Sequence, residues 1–139
     1  MGIQASGKSS YYLLNLAHGH LRINLDMLRT LHCEKIIFEA GLASKTKMAI
    51  DNTNPTLADR ALYIASTQAA GFEVVGYFFE TELKDALLRN HLREGKACIP
   101  EVKIRATAQK FEPAHYTEGF DALYKVRILG QGEFSISSI

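Results

Sequence analysis

Apolar and polar positions along the chain switch repeatedly between a helical and a strand rhythm, and the switches divide it into short elements. Helix-forming sequence runs from Ser9 to about Ala17, Gly19 interrupts it, and His20-Leu21-Arg22-Ile23-Asn24 reads as a short strand. Asp26 to about Glu39 predicts a helix with Leu28, Leu31, Ile36 and Ile37 on one broad apolar side, ending near Gly41. Thr46 to Ile50 reads as a strand that stops at Asp51. Turn-forming residues fill Asp51-Asn52-Thr53-Asn54-Pro55. Thr56-Leu57-Ala58-Asp59 is then a capping box opening a helix with Leu57, Ala61, Ile64 and Ala65 spaced for one face and Gly71 at its end. Glu73 to Phe79 is a nearly continuous apolar run, as in strands covered on both faces. Thr81 suits the cap of a helix that turns Leu83 and Leu87 inward and ends around Glu94-Gly95. Pro100 fits the first turn of another, reaching about Phe111. A loop over Glu112–Phe120 leads to a strand over Tyr124–Leu129. After a Gly130-Gln131-Gly132 turn, Phe134-Ser135-Ile136 either adds an edge strand or frays. Such alternation predicts an α/β fold, a parallel sheet flanked by helices, in one domain spanning residues 1–139.

Composition narrows the class. Hydrophobic residues make up 47% of the 139, enough for a real core. No apolar run approaches about 18 residues, and no basic-then-apolar leader is present, so a soluble cytoplasmic protein with no membrane partner is expected. Cys33 and Cys98 lack ligand spacing and are expected to be reduced core filler. Sixteen basic against fifteen acidic residues give a net charge of +1, too balanced for a wrapper of long duplexes but compatible with gripping a nucleic-acid end or a small phosphorylated molecule.

The chemistry is concentrated at the start. Gly2-Ile3-Gln4-Ala5-Ser6-Gly7-Lys8-Ser9 is a full G-x-x-x-x-G-K-[ST] match (a Walker A, or P-loop, pattern), and Ser10 extends it. In such a loop successive N–H groups from Gly2, Ala5, Ser6, Gly7 and their neighbours point at the phosphates of a nucleotide; Lys8 reaches the β/γ-phosphates and Ser9 ligates Mg²⁺. The following helix adds the positive end of its dipole. Almost nothing precedes Gly2, so a parallel sheet built around the strand that normally leads into the loop would miss a central member, unless the start lies upstream, the chain was trimmed or the gap is filled in another way.

Three further groups suit a phosphoryl-transfer site. Asp26 and Arg29, one helical turn apart, would share a face, with Asp26 accepting a hydroxyl proton and Arg29 holding an anion. Otherwise Asp26 is an N-cap and Arg29 a surface ion partner. Asp51 at a strand end can orient Mg²⁺ across from Ser9, with Asn52, Thr53 and Asn54 lining the cleft for the acceptor; the alternative is an ordinary turn before a capped helix. Arg89 and Arg93, four apart, fit a lid bringing positive charge to the transferring group, or else a solvated helix face.

Taken together, Gly2–Ser10, Ile23-Asn24-Leu25-Asp26-Met27-Leu28-Arg29, Ile50-Asp51-Asn52-Thr53-Asn54 and Arg89-Asn90-His91-Leu92-Arg93-Glu94-Gly95 with Pro100 resemble the 5′-kinase domain of the bacteriophage polynucleotide kinase. They are still more similar to the compact predicted kinases of that superfamily, a group that Phe111-Glu112-Pro113 and Glu118-Gly119-Phe120-Asp121 also resemble. The resemblance implies a P-loop NTPase-type fold and an ATP- and Mg²⁺-dependent kinase. It implies Asp26 as general base, Arg29 as acceptor-phosphate contact, Lys8 and Ser9 as nucleotide and metal contacts, and Arg93 as a lid arginine. Asn52 falls where the phage enzyme has an acid and Asp51 one place earlier, so either side chain meets the metal shell. The segment between Arg29 and Asp51 is shorter than in that enzyme. Expected function is therefore transfer of the γ-phosphate of ATP to a hydroxyl acceptor such as a polynucleotide 5′-OH, with no obligate protein partner. Alternatives are a small-metabolite or nucleoside kinase and a nucleotide-binding module without turnover.

Overall fold

The structure is a computed structural model that describes residues 1–130 and 132–139. Its helices and strands alternate as α/β, in the order α1 (Lys8–Tyr11), β1 (Leu21–Ile23), α2 (Leu25–Leu28), α3 (Leu31–Ala43), β2 (Met48–Ile50), α4 (Leu57–Ala69), β3 (Val75–Phe79), α5 (Leu83–His91), α6 (Glu101–Lys110), β4 (Ala122–Gly130) and β5 (Glu133–Ser138). A π-helical turn over Tyr12–Leu16 carries α1 onward, so the expected first helix is present but widened.

Local chemistry sets the boundaries. The Thr56–Asp59 capping box closes reciprocally at α4, as its spacing predicts. The long helix expected over Asp26–Glu39 is instead two. Asn24 caps α2 by accepting from the Met27 N–H, Arg29 breaks it at φ 70°, and Thr30 starts α3 by accepting from the Cys33 N–H. A side-chain acceptor at Thr30 offers the backbone a fresh helix start, which an apolar pattern does not register. Before α5 it is Glu82, not Thr81, that stands at the cap, and Pro100 sits just outside α6.

The single parallel sheet is a second correction. β1 and β2 pair in parallel, Leu21 with Met48 through Ile23 with Ile50, as one small sheet. β3 pairs in parallel with β4, Val75 with Ala122 through Phe79 with Val126, and β5 closes antiparallel onto β4 as the edge strand that the C-terminal segment left open. The turn predicted at Gly130-Gln131-Gly132 falls in part outside the described residues. Between the two sheets, Met1 bonds to β3 through its own amine to Tyr77 O (2.8 Å) and through its carbonyl from Phe79 N–H (2.9 Å). Gly2 N–H crosses to Thr53 O at 3.0 Å.

One core cluster joins Ile3 and Ala5 to Ala86 and Ile104 of the α5–α6 pair; another joins Tyr11, Phe79 and Val126. The buried faces differ from those the sequence predicts. α3 buries Glu34, Phe38 and Gly41 while Leu31 and Ile36 are exposed; α4 buries Arg60 and Ile64 while Leu57, Ala61 and Ala65 are exposed. Val75 at the start of β3 is exposed as well. Cys33 and Cys98 are exposed free thiols, not core filler: one lies on the first turn of α3, the other in the α5–α6 connection. Among the described residues no helix is long and apolar enough to cross a membrane.

Candidate functional site

The Gly2–Ser9 segment wraps around its own lysine. Lys8 Nζ donates to Gly2 O at 2.8 Å, Ile3 O at 2.7 Å and, more weakly, Ser6 Oγ at 3.4 Å. That curl needs left-handed backbone at Gly2 (φ 146°), Ala5 (φ 58°) and Gly7 (φ 92°). At Gly7 a side chain is doubly excluded, since an added Cβ would lie 2.7 Å from Ile128 Cδ1. Ala5 and Ser6 are buried, and Arg89 of α5 donates through Nε to Ala5 O at 2.8 Å, so α5 grips the loop from outside. Gln4 reaches the other way, to Thr107 Oγ1 of α6 at 3.0 Å.

Burial lowers the Lys8 ammonium from its ordinary 10.5 to about 8; the carboxylates of Asp51 and Asp26 oppose that shift and the Arg93 cation adds to it. Lys8 therefore lies within electrostatic reach of all three groups. Arg93 is exposed just beyond the end of α5, and Asp26 is exposed on α2.

Ser9 and Asp51 are in direct contact: Ser9 Oγ donates to Asp51 Oδ2 at 2.9 Å. Asp51 is buried at the end of β2 and also accepts from Arg22 of β1, both through Nε (3.0 Å) and in an ion pair with Nη2. Asn24 Nδ2 holds Asp51 O at 2.5 Å. A serine hydroxyl beside a carboxylate suits a magnesium ion that keeps most of its waters and borrows the rest of its shell from a bound phosphate. Among the described residues no group of three His, Cys, Asp or Glu side chains forms a denser metal cluster.

Asn52 is occupied in a different way. Its Oδ1 accepts from Leu25 N–H at 2.9 Å, fixing the first turn of α2, while its Nδ2 donates to Glu34 Oε2 at 2.8 Å and to Tyr63 OH at 3.4 Å. Tyr63 OH also donates to Glu34, and burial followed by the Glu34 bond pushes the phenol up. Thr53 serves through its carbonyl, on Gly2, and Asn54 (φ 43°) through its carbonyl, on Arg60. Arg29 departs from expectation: with positive φ it has left the helix, so it does not stand one turn from Asp26 on a shared face. Asp26 is not the N-cap either, since Asn24 takes that role.

Ser9 and Asp51 thus meet directly, with the Lys8 ammonium in electrostatic reach of Asp51. Ser10 is exposed, in the first turn of α1. Several contributors carry no motif: Arg22, Asn24, Glu34, Tyr63 and the buried Arg60, which donates to Glu118 and to the carbonyls of Asn54, Pro55, Glu112 and Pro113. Glu34 and Arg60 each stand four residues before a buried apolar side chain of the same helix, Phe38 and Ile64, which is the one sequence signal any of them carries.

No family model matches the chain. It is similar to the bifunctional polynucleotide phosphatase/kinase of Schizosaccharomyces pombe, at 28% identity over 133 residues, covering 91% of this chain and 32% of that protein. The chain therefore spans about a third of the length of this relative.

Proposed function

We propose that the chain is a P-loop kinase domain that transfers the γ-phosphate of ATP to a hydroxyl acceptor, with a polynucleotide 5′-OH as the leading acceptor. One observation carries the reading: a strained Gly2–Ser9 loop closes around Lys8 while Ser9 bonds to the strand-end carboxylate of Asp51. Bound triphosphate would replace the Gly2 and Ile3 carbonyls as partners of Lys8, and the main-chain N–H groups of Ala5, Ser6, Gly7 and Ser10 would face its oxygens. Mg²⁺ would sit at Ser9 with Asp51 behind its waters, and when bound it supplies charge neutralisation across the β- and γ-oxygens. Asp26 accepts the acceptor's proton. Arg29, Thr53 and Asn54 border the acceptor side, where Asn52 orients the turn that presents Asp26. Arg89 and Arg93 bring positive charge to the phosphates from α5 and its end.

The polynucleotide acceptor is supported by the likeness to the Schizosaccharomyces pombe polynucleotide phosphatase/kinase, and the kinase half of that name by the loop chemistry. Labelled γ-phosphate should pass from ATP to a 5′-hydroxyl oligonucleotide in a magnesium-dependent reaction. Asp26→Asn should lower kcat by roughly 10²-fold or more, the scale of a general base, with little effect on ATP affinity. Transfer by that variant at the wild-type rate removes the proposed base.

The near-neutral charge favours a second reading, a small-molecule acceptor. Rates on an oligonucleotide should fall steeply between 50 and 200 mM salt if several phosphates are gripped, and those on a nucleoside or sugar should not. Nucleotide binding without transfer to any acceptor would instead make the chain a non-catalytic module.

A further inference from the structure

Asp51 faces the loop with a cation already on it. Arg22 lies opposite Ala49 in the parallel β1–β2 pair, and Asp51 stands two residues beyond Ala49 with its N–H on Ile23 O. Residues two apart in a strand leave the same face of the sheet, so register alone brings Arg22 and Asp51 together. The guanidinium also lies over the Tyr12 ring, 5.3 Å from its centroid, and Tyr12 is anchored by its hydroxyl on His20 O at 2.8 Å. The Asp51 side chain is 4% exposed and that of Arg22 24%. A buried carboxylate and a cation held this firmly act as one neutral unit, because parting them leaves a charge without compensation.

The pairing occupies one oxygen. Ser9 Oγ, Arg22 Nε and Arg22 Nη2 all donate to Asp51 Oδ2, and among the described residues no donor reaches Oδ1. Nor is Oδ1 sealed in: among the described residues Gln4 Oε1 is the one buried side-chain oxygen or nitrogen without a partner. Oδ1 therefore keeps access to solvent and can accept from a metal-bound water while Arg22 stays on Oδ2. A bare divalent cation meets a single carboxylate whose charge is already balanced, with no denser group of His, Cys, Asp or Glu around it among the described residues. A phosphate chain meets the Lys8 and Arg22 cations against the one Asp51 anion, with Lys8 in electrostatic reach of it. The place is an anion site before it is a metal site.

We propose that Arg22 is a positioning residue that sets the order of binding: by neutralising Asp51 it lets the loop take nucleotide alone or as its metal complex, and makes it refuse a free divalent cation. This rests on the phosphate-loop reading given above. Without Arg22, the Asp51 carboxylate would repel the phosphates and attract the cation, so the two affinities should move in opposite directions. Loss of packing alone would lower both.

The test uses the full chain as wild type, Arg22→Met, Asp51→Asn and the double variant. Calorimetry with ATP in excess EDTA reads the affinity for metal-free nucleotide, and electron paramagnetic resonance of Mn²⁺ without nucleotide reads the affinity for the bare cation. Arg22→Met should weaken metal-free ATP and tighten Mn²⁺, each by at least about fivefold, and Asp51→Asn should tighten metal-free ATP by a similar factor. The double variant, neutral again, should return metal-free ATP to within about threefold of wild type. Should Arg22→Met fail to fold by circular dichroism, Asp51→Asn and the double variant decide, since neither buries a lone carboxylate. Both affinities falling together in Arg22→Met, Mn²⁺ bound as tightly by wild type, metal-free ATP no tighter in Asp51→Asn, or a double variant outside that range would each overturn the proposal. Wild type that binds Mg–ATP while failing these comparisons leaves the loop reading standing; wild type that binds ATP neither with nor without Mg²⁺ overturns both.

Discussion

Lys8 carries the sharpest consequence at the scale of single residues. Its folded value, about 8, lies below the ordinary 10.5, so below pH 8 the protein holds a charged ammonium in a buried place. The native state binds fewer protons than the unfolded chain between those two values, so Lys8 makes stability rise with pH from about 8 to 10.5. Anion binding has the opposite sign, because only the charged form attracts phosphate. ATP affinity measured by calorimetry should fall as pH climbs through about 8, and Lys8→Met should both weaken binding and flatten that dependence. A profile equally steep in the variant would assign the titration to another group. The curl of the Gly2–Ser9 segment around Lys8 and the Ser9–Asp51 contact join residues that the sequence also singles out, because the G-x-x-x-x-G-K-[ST] pattern is local and a strand-end acid falls where a strand stops. The placement of Arg29 was not legible there. Its departure from the helix depends on Thr30 competing for the backbone, a choice that hydrophobic periodicity does not record.

At the scale of elements, α2 is a single turn, and the proposed role of Asp26 depends on it. A helix of four residues has no stability of its own, since nucleating one turn orders several residues for a single bond. Asn24 from inside and Asn52 from across the cleft hold its start, and Glu34 with Tyr63 holds Asn52. Asn52→Ala removes the acceptor for Leu25 N–H and the donor to Glu34 Oε2, leaving the buried Glu34 carboxylate with Tyr63 OH, at a cost of about 1–3 kcal/mol. The expected signature is a kcat loss of about tenfold or more with ATP affinity within about twofold, measured by steady-state kinetics beside calorimetry. A parallel loss of ATP binding would place Asn52 on the nucleotide side. Sequence reading found the capping box of α4 because both partners lie within four residues. It missed the Glu34–Asn52–Tyr63 group because its members are 18 and 11 residues apart and meet only after folding.

Across the whole molecule, Arg60 and Glu118 join the strand-end turn to the distant loop before β4. Both side chains are 3% exposed and 2.6 Å apart. Burial raises the Glu118 carboxyl, but its bonds to Arg60 and His115 N–H and the Arg60 charge outweigh this and hold it below 4.5. Its contribution to stability is therefore full above pH 4.5 and disappears as pH falls through the folded value. Arg60→Met leaves the buried Glu118 carboxylate without its cation, held only by His115 N–H, and should cost about 3–5 kcal/mol, read as a lowered denaturation midpoint at pH 7. The loss should shrink toward pH 4 and below, where the stranded Glu118 is neutral; a loss constant with pH would mean that packing, not charge, is the main term. The sheet arrangement shows the same limit of local reading. Strand positions follow from apolar runs, but the division into two sheets depends on which edges find each other, which no run of residues states.

Asn90, 1% exposed within α5, both donates to Ile99 O at 2.7 Å and accepts from Ile99 N–H at 2.9 Å. That two-way latch copies a pair of ladder bonds and ties the far end of α5 to the approach of α6. Arg89 and Arg93 are therefore carried on one braced hairpin, so any displacement of either is shared with α6, which Gln4 ties to the Gly2–Ser9 segment through Thr107.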